Sequence, residues 1–158
     1  MIKKRFLCLV VFLVMTTMAN AANEINQKPF EQLILGYNHG VNKSWKNAKF
    51  GHLEEYLTQE IYYKTLVWVE SYQASNYFMQ NILLNMKFDE IVMKQYSATL
   101  TTTENWKSRF IDIKTKKVVV PPSKINYKMK YFFVILEDGS WKINHIKILN
   151  EKSEEIKE

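Results

Sequence analysis

Ile125-Asn126-Tyr127-Lys128-Met129-Lys130-Tyr131-Phe132-Phe133-Val134-Ile135-Leu136 is the stretch that decides the fold. Ile125, Tyr127, Met129, Tyr131, Phe133 and Ile135 fall on alternate positions, and a period of two marks a strand. Asn126, Lys128 and Lys130 begin the opposite face, which turns apolar at Phe132, Val134 and Leu136. A strand polar at one end and apolar on both faces at the other is expected to be half covered by helix.

Asp138-Gly139 follows, a strong hairpin signal between alternating runs. The returning strand is expected to carry Trp141 and Ile143 on one face. Its apolar parity then slips to Ile146 and Ile148, which a bulge near His145 would explain. Residues 150–158 read as a charged, mobile tail.

Working back toward the N-terminus, two more strands are expected, one from about Leu84 to Met93 and one from about Ser97 to Ile113. The second contains Thr99 and the run Thr101 to Thr103, residues suited to strands. Pro121-Pro122 should exclude a central strand at that point, because proline has no N–H to give to a ladder.

Ahead of the strands the period changes to that of a helix. Pro29 suits a first helical turn. Phe30, Leu33, Ile34, Tyr37, Val41 and Trp45 then recur at spacings of three and four, one stripe of an amphipathic helix. Gly36 and Gly40 lie four apart on it, so another element is expected to approach that face closely; the alternative is that the helix bends or ends there. After a break at 47–52, Leu53 to about Ile82 reads as a second helical region. Leu57, Ile61, Trp68 and Tyr72 form its stripe, and Tyr62, Leu66 and Val69 widen it. The polar run 71–76, a poor helix former, would divide this region into two helices. Helices first and antiparallel strands after make an α+β domain, with helices on one face of the sheet.

Met1-Ile2-Lys3-Lys4-Arg5 is cationic, the run from Phe6 to Met15 is apolar, and Ala19-Asn20-Ala21 follows. That is the three-part pattern of a secretory signal. The apolar run is short against the roughly 20 residues a membrane-spanning helix needs. Cleavage near Ala21 is expected, and the domain is expected in a periplasm or outside the cell. Of 158 residues, removal of 21 leaves 137, which suits one domain over 22–149. Cys8 is the only cysteine and lies within the signal, so the remainder can form neither a disulfide nor a cysteine metal site. The net charge of +6 drops to +3 once Lys3, Lys4 and Arg5 are set aside. That balance, and export above all, argue against a nucleic-acid partner.

The order of helices and then a four-stranded meander resembles the nuclear-transport-factor-2-like (NTF2-like) superfamily, whose sheet curls around a long helix to form a cone. Ala48-Lys49-Phe50-Gly51-His52-Leu53-Glu54-Glu55-Tyr56-Leu57-Thr58 is similar to the helix-to-helix passage in the C-terminal domain of plastid and cyanobacterial division proteins, where a tryptophan follows as Trp68 does here. Glu137-Asp138-Gly139-Ser140-Trp141-Lys142-Ile143 resembles the superfamily's last hairpin. The resemblance covers about residues 30–149. It implies the fold but no single function, since such cones serve both as assembly parts of secretion systems and as isomerases and dehydratases.

Among candidate site residues, His39, His52 and His145 lack the spacing of metal ligands, and no cofactor or metal is expected. The most suggestive feature is a basic stretch. Lys107, Arg109, Lys114, Lys116, Lys117, Lys124, Lys128 and Lys130 face only Asp112 in that interval. On adjacent strands they would make one positive surface for an acidic protein or an anionic membrane. The competing explanation is a lysine guard on a strand edge, which prevents aggregation. A pocket inside the cone would be lined by Tyr62, Trp68, Tyr72, Asp112, Tyr127 and Tyr131. There Asp112 would be a general base and Tyr62 or Tyr127 an oxyanion donor; otherwise the aromatics are core and Asp112 is a solvated strand end. The sequence thus points to an exported, non-catalytic binding or assembly domain of the cell envelope, a secretion-complex component or a toxin-immunity-like protein. The alternative is a small-molecule enzyme or ligand carrier using the cone interior.

Overall fold

The computed structural model describes residues 26–156. The expected signal segment and its cleavage point lie outside the described residues. Helix α1 spans Lys28–Asn47. A 3-10 turn at Gly51–Leu53 leads to helix α2, Gln59–Ala74. Four strands follow: β1 Tyr77–Met93, β2 Ser97–Asp112, β3 Val118–Ile135 and β4 Trp141–Glu155. They pair antiparallel in chain order, as an open sheet. The α+β architecture with helices on one side of a four-stranded meander is the one expected.

The α1 stripe forms as its spacing dictates, with Phe30, Ile34, Val41 and Trp45 buried. Gly36 and Gly40 do admit a neighbour. A Cβ on Gly36 would run into the Tyr56 ring, and one on Gly40 would come within 2.5 Å of Leu53 Cδ2. Both helices touch β1 and β4, the two edge strands. A sheet whose opposite edges meet the same helices must curl around them, and register shifts near Leu84 and between Phe88 and Ile91 supply bends. The buried inner face carries Ala98, Leu100 and Thr102 from β2, Tyr131 and Phe133 from β3 and Ile143 from β4. Phe30 fills the seam between helix and sheet, 4.9 Å from the Phe133 ring and 5.1 Å from Trp141.

Several expectations are corrected. The second helical region is shorter than Leu53 to Ile82. Residues 54–58 turn and bridge to β4, where Thr58 N donates to Ile143 O and Ile143 N donates to Tyr56 O. Asn76, at φ 67°, ends the second helix with a left-handed turn, so residues 77–83 join β1. Pro121 and Pro122 lie within β3, an inner strand. They are tolerated because the β2–β3 register shifts there, between Ser108 and Phe110, and because β4 has run out alongside, its last partner being Ser123. Residues 150–155, expected as a tail, continue β4 against β3 residues 123–128. The far end of β3 is not covered on both faces: Phe132 and Val134 are half-buried and Leu136 exposed, because both helices lie on the inner side. The slip in β4 is a bulge at Asn144, between the pairs Phe132–His145 and Phe133–Ile143, one residue from its expected place.

Candidate functional site

Two features separate by face. On the inner face of β2, Glu104 is buried at 2% exposure. Its Oε1 accepts hydrogen bonds from Thr102 Oγ1 (2.7 Å) and Tyr131 OH (2.8 Å), and its Oε2 accepts one from Trp106 Nε1 (2.9 Å). The alternation Thr102, Glu104, Trp106 puts all three β2 groups on one side, and β3 delivers Tyr131 from the neighbouring strand. No salt bridge to Glu104 occurs among the described residues. A buried carboxylate without a cation is costly unless its oxygens are hydrogen-bonded, and three donors meet that need here.

Glu104 lines a cavity of about 210 Å³, open on one side, between α1, α2 and the concave sheet. Its walls include Tyr37, Asn38, Trp68, Asn81, Trp106, Ser108, Tyr127, Met129 and Tyr131. Ser108 Oγ donates to Asn81 Oδ1 at 2.6 Å. The buried Asn38 amide opposes the Tyr131 phenol, and its Nδ2 meets no acceptor in full hydrogen-bond geometry. Burial pushes the Tyr37 phenol up to about 12, a hydrogen bond with Thr65 opposes the rise in part, and the charge of Glu104 adds to it. Burial and then the Glu104 charge hold Tyr131 well above the ordinary tyrosine value.

Of the residues expected to line a pocket, Trp68, Tyr127 and Tyr131 are there. Tyr62, Tyr72 and Asp112 are not. The Tyr62 ring meets that of Tyr63. Tyr72 stacks on Phe110 and meets Trp45 edge-on. Asp112 closes the β2–β3 turn: its Oδ1 accepts Thr115 N and its Oδ2 accepts Asn76 Nδ2, both at 2.6 Å. It stands at the turn and not among the residues that line the cavity. The carboxylate that does face the cavity, Glu104, was missed; its shared parity with Leu100 and Trp106 was the available signal.

The turn contact has a pH signature. The Thr115 amide, foremost, and Asn76 hold the Asp112 carboxyl below the ordinary aspartate value. A lowered folded-state value means that the stabilisation is present above the unfolded aspartate value and is lost as pH falls through the folded one. An NMR titration of the Asp112 carboxyl should inflect below the ordinary value of about 3.9. Substituting Asn76→Ala should move that inflection upward.

The basic stretch divides. Alternation places Lys107 and Arg109 of β2 and Lys124, Lys128 and Lys130 of β3 on the outer face, opposite to Glu104. Lys114, Lys116 and Lys117 sit instead at the β2–β3 turn, where Lys116 Nζ lies 5.9 Å from the centre of the Phe78 ring. Lys107 stands directly opposite Lys124, and Lys130 opposite Lys147 of β4. Lys87 of β1 and Lys152 of β4 extend the same face. Its acids are Asp89, held by Lys87 Nζ (3.0 Å) and Thr103 Oγ1 (2.7 Å), and Glu154, opposite Lys124. β2 and β3 are inner strands, so edge protection does not explain their lysines.

The histidines are dispersed. His52 Nε2 donates to Gly40 O at 2.9 Å, tying the 3-10 turn to α1, and His145 packs on Phe132. Among the described residues no group of three or more His, Cys, Asp or Glu is placed to hold a metal ion, and no helix is long and apolar enough to cross a membrane.

No protein-family model and no curated protein matches the chain. Solved structures do. The intermembrane-space region of the chloroplast protein ARC6 superposes with a TM-score of 0.69 at 13% identity, covering 80% of this chain and 98% of that one. A conserved protein from Planctomyces limnophilus matches at 0.48 and 12% identity, covering 75% and 97%. A proposed dehydratase of the NTF2-like family from Streptomyces avermitilis matches at 0.44 and 14%, covering 82% and 97%.

Proposed function

We propose that this α+β domain of NTF2-like fold, similar in fold to the ARC6 region, is an exported, non-catalytic binding domain of the cell envelope. In this reading it docks an acidic protein through the outer face of its sheet. The observation that carries the proposal is the lysine pairing on that face. Lys107 and Lys124 face each other across β2–β3, and Lys130 and Lys147 across β3–β4. Like charges directly opposite destabilise a sheet, and inner strands need no guard against edge pairing. An acidic partner would complement the net positive charge of this face and set the register. Strand spacing fixes the grid of charges at about 4.8 Å across the sheet, which suits a patterned protein surface better than a fluid one.

Two further points support the reading. The first 21 residues have the pattern of a secretory signal, and the ARC6 region is itself an intermembrane-space region. Glu104, the carboxylate facing the cavity, has both oxygens occupied by donors, which suits a fixed group better than a proton carrier. A secretion complex and an exported toxin are the two kinds of acidic partner to separate, and flanking genes would do so.

The test compares envelope proteins captured by the native domain and by a Lys107→Glu, Lys124→Glu, Lys128→Glu variant. One specific protein should be retained by the first and lost from the second. Vesicles of anionic phospholipid serve as the competing partner. Vesicle binding without protein capture, or capture unchanged by the charge reversal, would overturn the proposal.

A further inference from the structure

The cone cavity is separate from the lysine face and carries the opposite charge. Glu104 is the one acidic side chain among its lining residues; neither lysine, arginine nor histidine is present there. Five aromatic rings surround the same space, those of Tyr37, Trp68, Trp106, Tyr127 and Tyr131. Three hydrogen bonds reach the two oxygens of Glu104, and no cationic side chain among the described residues pairs with it. Aromatic faces are electron-rich and attract cations, most strongly where water is excluded. A carboxylate behind such walls favours a positive guest and repels an anionic one. At about 210 Å³, the cavity is smaller than the roughly 300–1,000 Å³ of sites for drug-sized ligands. Asn38 Nδ2, buried in the wall, has two N–H donors; its amide engages the Tyr131 phenol only loosely, outside full hydrogen-bond geometry, and a second N–H is left to donate.

From this juxtaposition we infer that the cavity is a binding site for a small organic cation, a quaternary or protonated amine with an acceptor oxygen a few bonds from the charge. The charge lies against the rings and Glu104, and the oxygen accepts from Asn38. Recognition is by shape and charge, and no bond is made or broken. The site stands independently of the outer face, so a domain that docks a protein there still has room for this ligand.

Choline is the probe, and 3,3-dimethyl-1-butanol its neutral isostere. Trp68 and Trp106 line the cavity, so tryptophan fluorescence reads occupancy, and calorimetry gives the affinity. Choline should bind at least about tenfold more tightly than the isostere, the margin expected of a desolvated cation against aromatic rings. Trp68 is 40% exposed, so Trp68→Ala should keep the fold while weakening choline by about five- to tenfold and the isostere much less. Glu104→Gln, if folded by circular dichroism, should bring the two affinities together. The Lys107→Glu, Lys124→Glu, Lys128→Glu variant should bind choline as the native domain does, whatever it does to protein capture. Equal affinity for choline and the isostere would overturn the charge preference and leave a neutral site. Absence of binding by both in the native domain would overturn the site.

Discussion

Replacing Glu104 with alanine is expected to lower the free energy of unfolding by about 3–5 kcal/mol. The substitution strands Thr102 Oγ1, Tyr131 OH and Trp106 Nε1 at once. Each buried donor without an acceptor costs about 1–3 kcal/mol. Relief comes from two sources: water entering from the cavity, and loss of the desolvation cost of the carboxylate itself. The total therefore falls short of three full penalties. Glu104→Gln should cost less, because its remaining carbonyl still accepts from Thr102 and Tyr131 while its amide opposes only Trp106. Urea unfolding of the three proteins checks the order. A loss below about 1 kcal/mol for alanine would mean that the donors find water readily, and that the site is wetter than its burial implies.

Phe30→Ala should be comparably severe, at about 3–5 kcal/mol. The ring is 2% exposed and packs edge-on against both Phe133 and Trp141. It joins the first turn of α1 to the last hairpin, two ends of the chain that nothing nearer in sequence brings together. Truncation leaves a cavity among rigid neighbours that cannot collapse into it. Leu35→Ala on the same helix is the control, since Leu35 is 44% exposed and surface changes usually stay within about 0.5 kcal/mol. A double-mutant cycle with Trp141 should show a coupling of about 0.5–1.5 kcal/mol, the contribution of an edge-on aromatic pair.

What the sequence reveals and what it hides follow from the range of the forces. Strand β3 was legible because every second residue from Ile125 to Ile135 is apolar without a break, and one buried face imposes that pattern. The α1 stripe was legible for the same reason, and Gly36 and Gly40 marked where Tyr56 and Leu53 come close. The start of β1 was hidden. Tyr77-Phe78-Met79 has no period of its own, and the helix stops because Asn76 adopts a left-handed turn tied to Asp112, a residue 36 positions away. Residues 150–155 look like a solvated tail because β4 is an edge strand there, exposed at every position, and backbone pairing with β3 leaves no mark on its side chains. Pro121 and Pro122 obey the rule that excludes proline from ladders; the sequence could not show that the ladder is already broken beside them.

The site was legible in part. The basic residues of β2 and β3 were visible as a run poor in acids, and strand parity gathers five of them, four lysines and Arg109, on one face. Asp112 takes the alternative place offered for it, a strand end, and Glu104 was not singled out, because the decisive fact is a turn. Thr115, three residues on, and Asn76 consume both oxygens of Asp112, whereas Glu104 lies mid-strand with inward parity.

The central claim is that the outer face of the sheet is an electrostatic docking surface. The most direct measurement is the association rate of the domain with its captured partner, followed from roughly 0.05 to 0.5 M salt. The account predicts a steep fall in the association rate with little change in dissociation, as expected when complementary charge steers the encounter. An association rate indifferent to salt would contradict it.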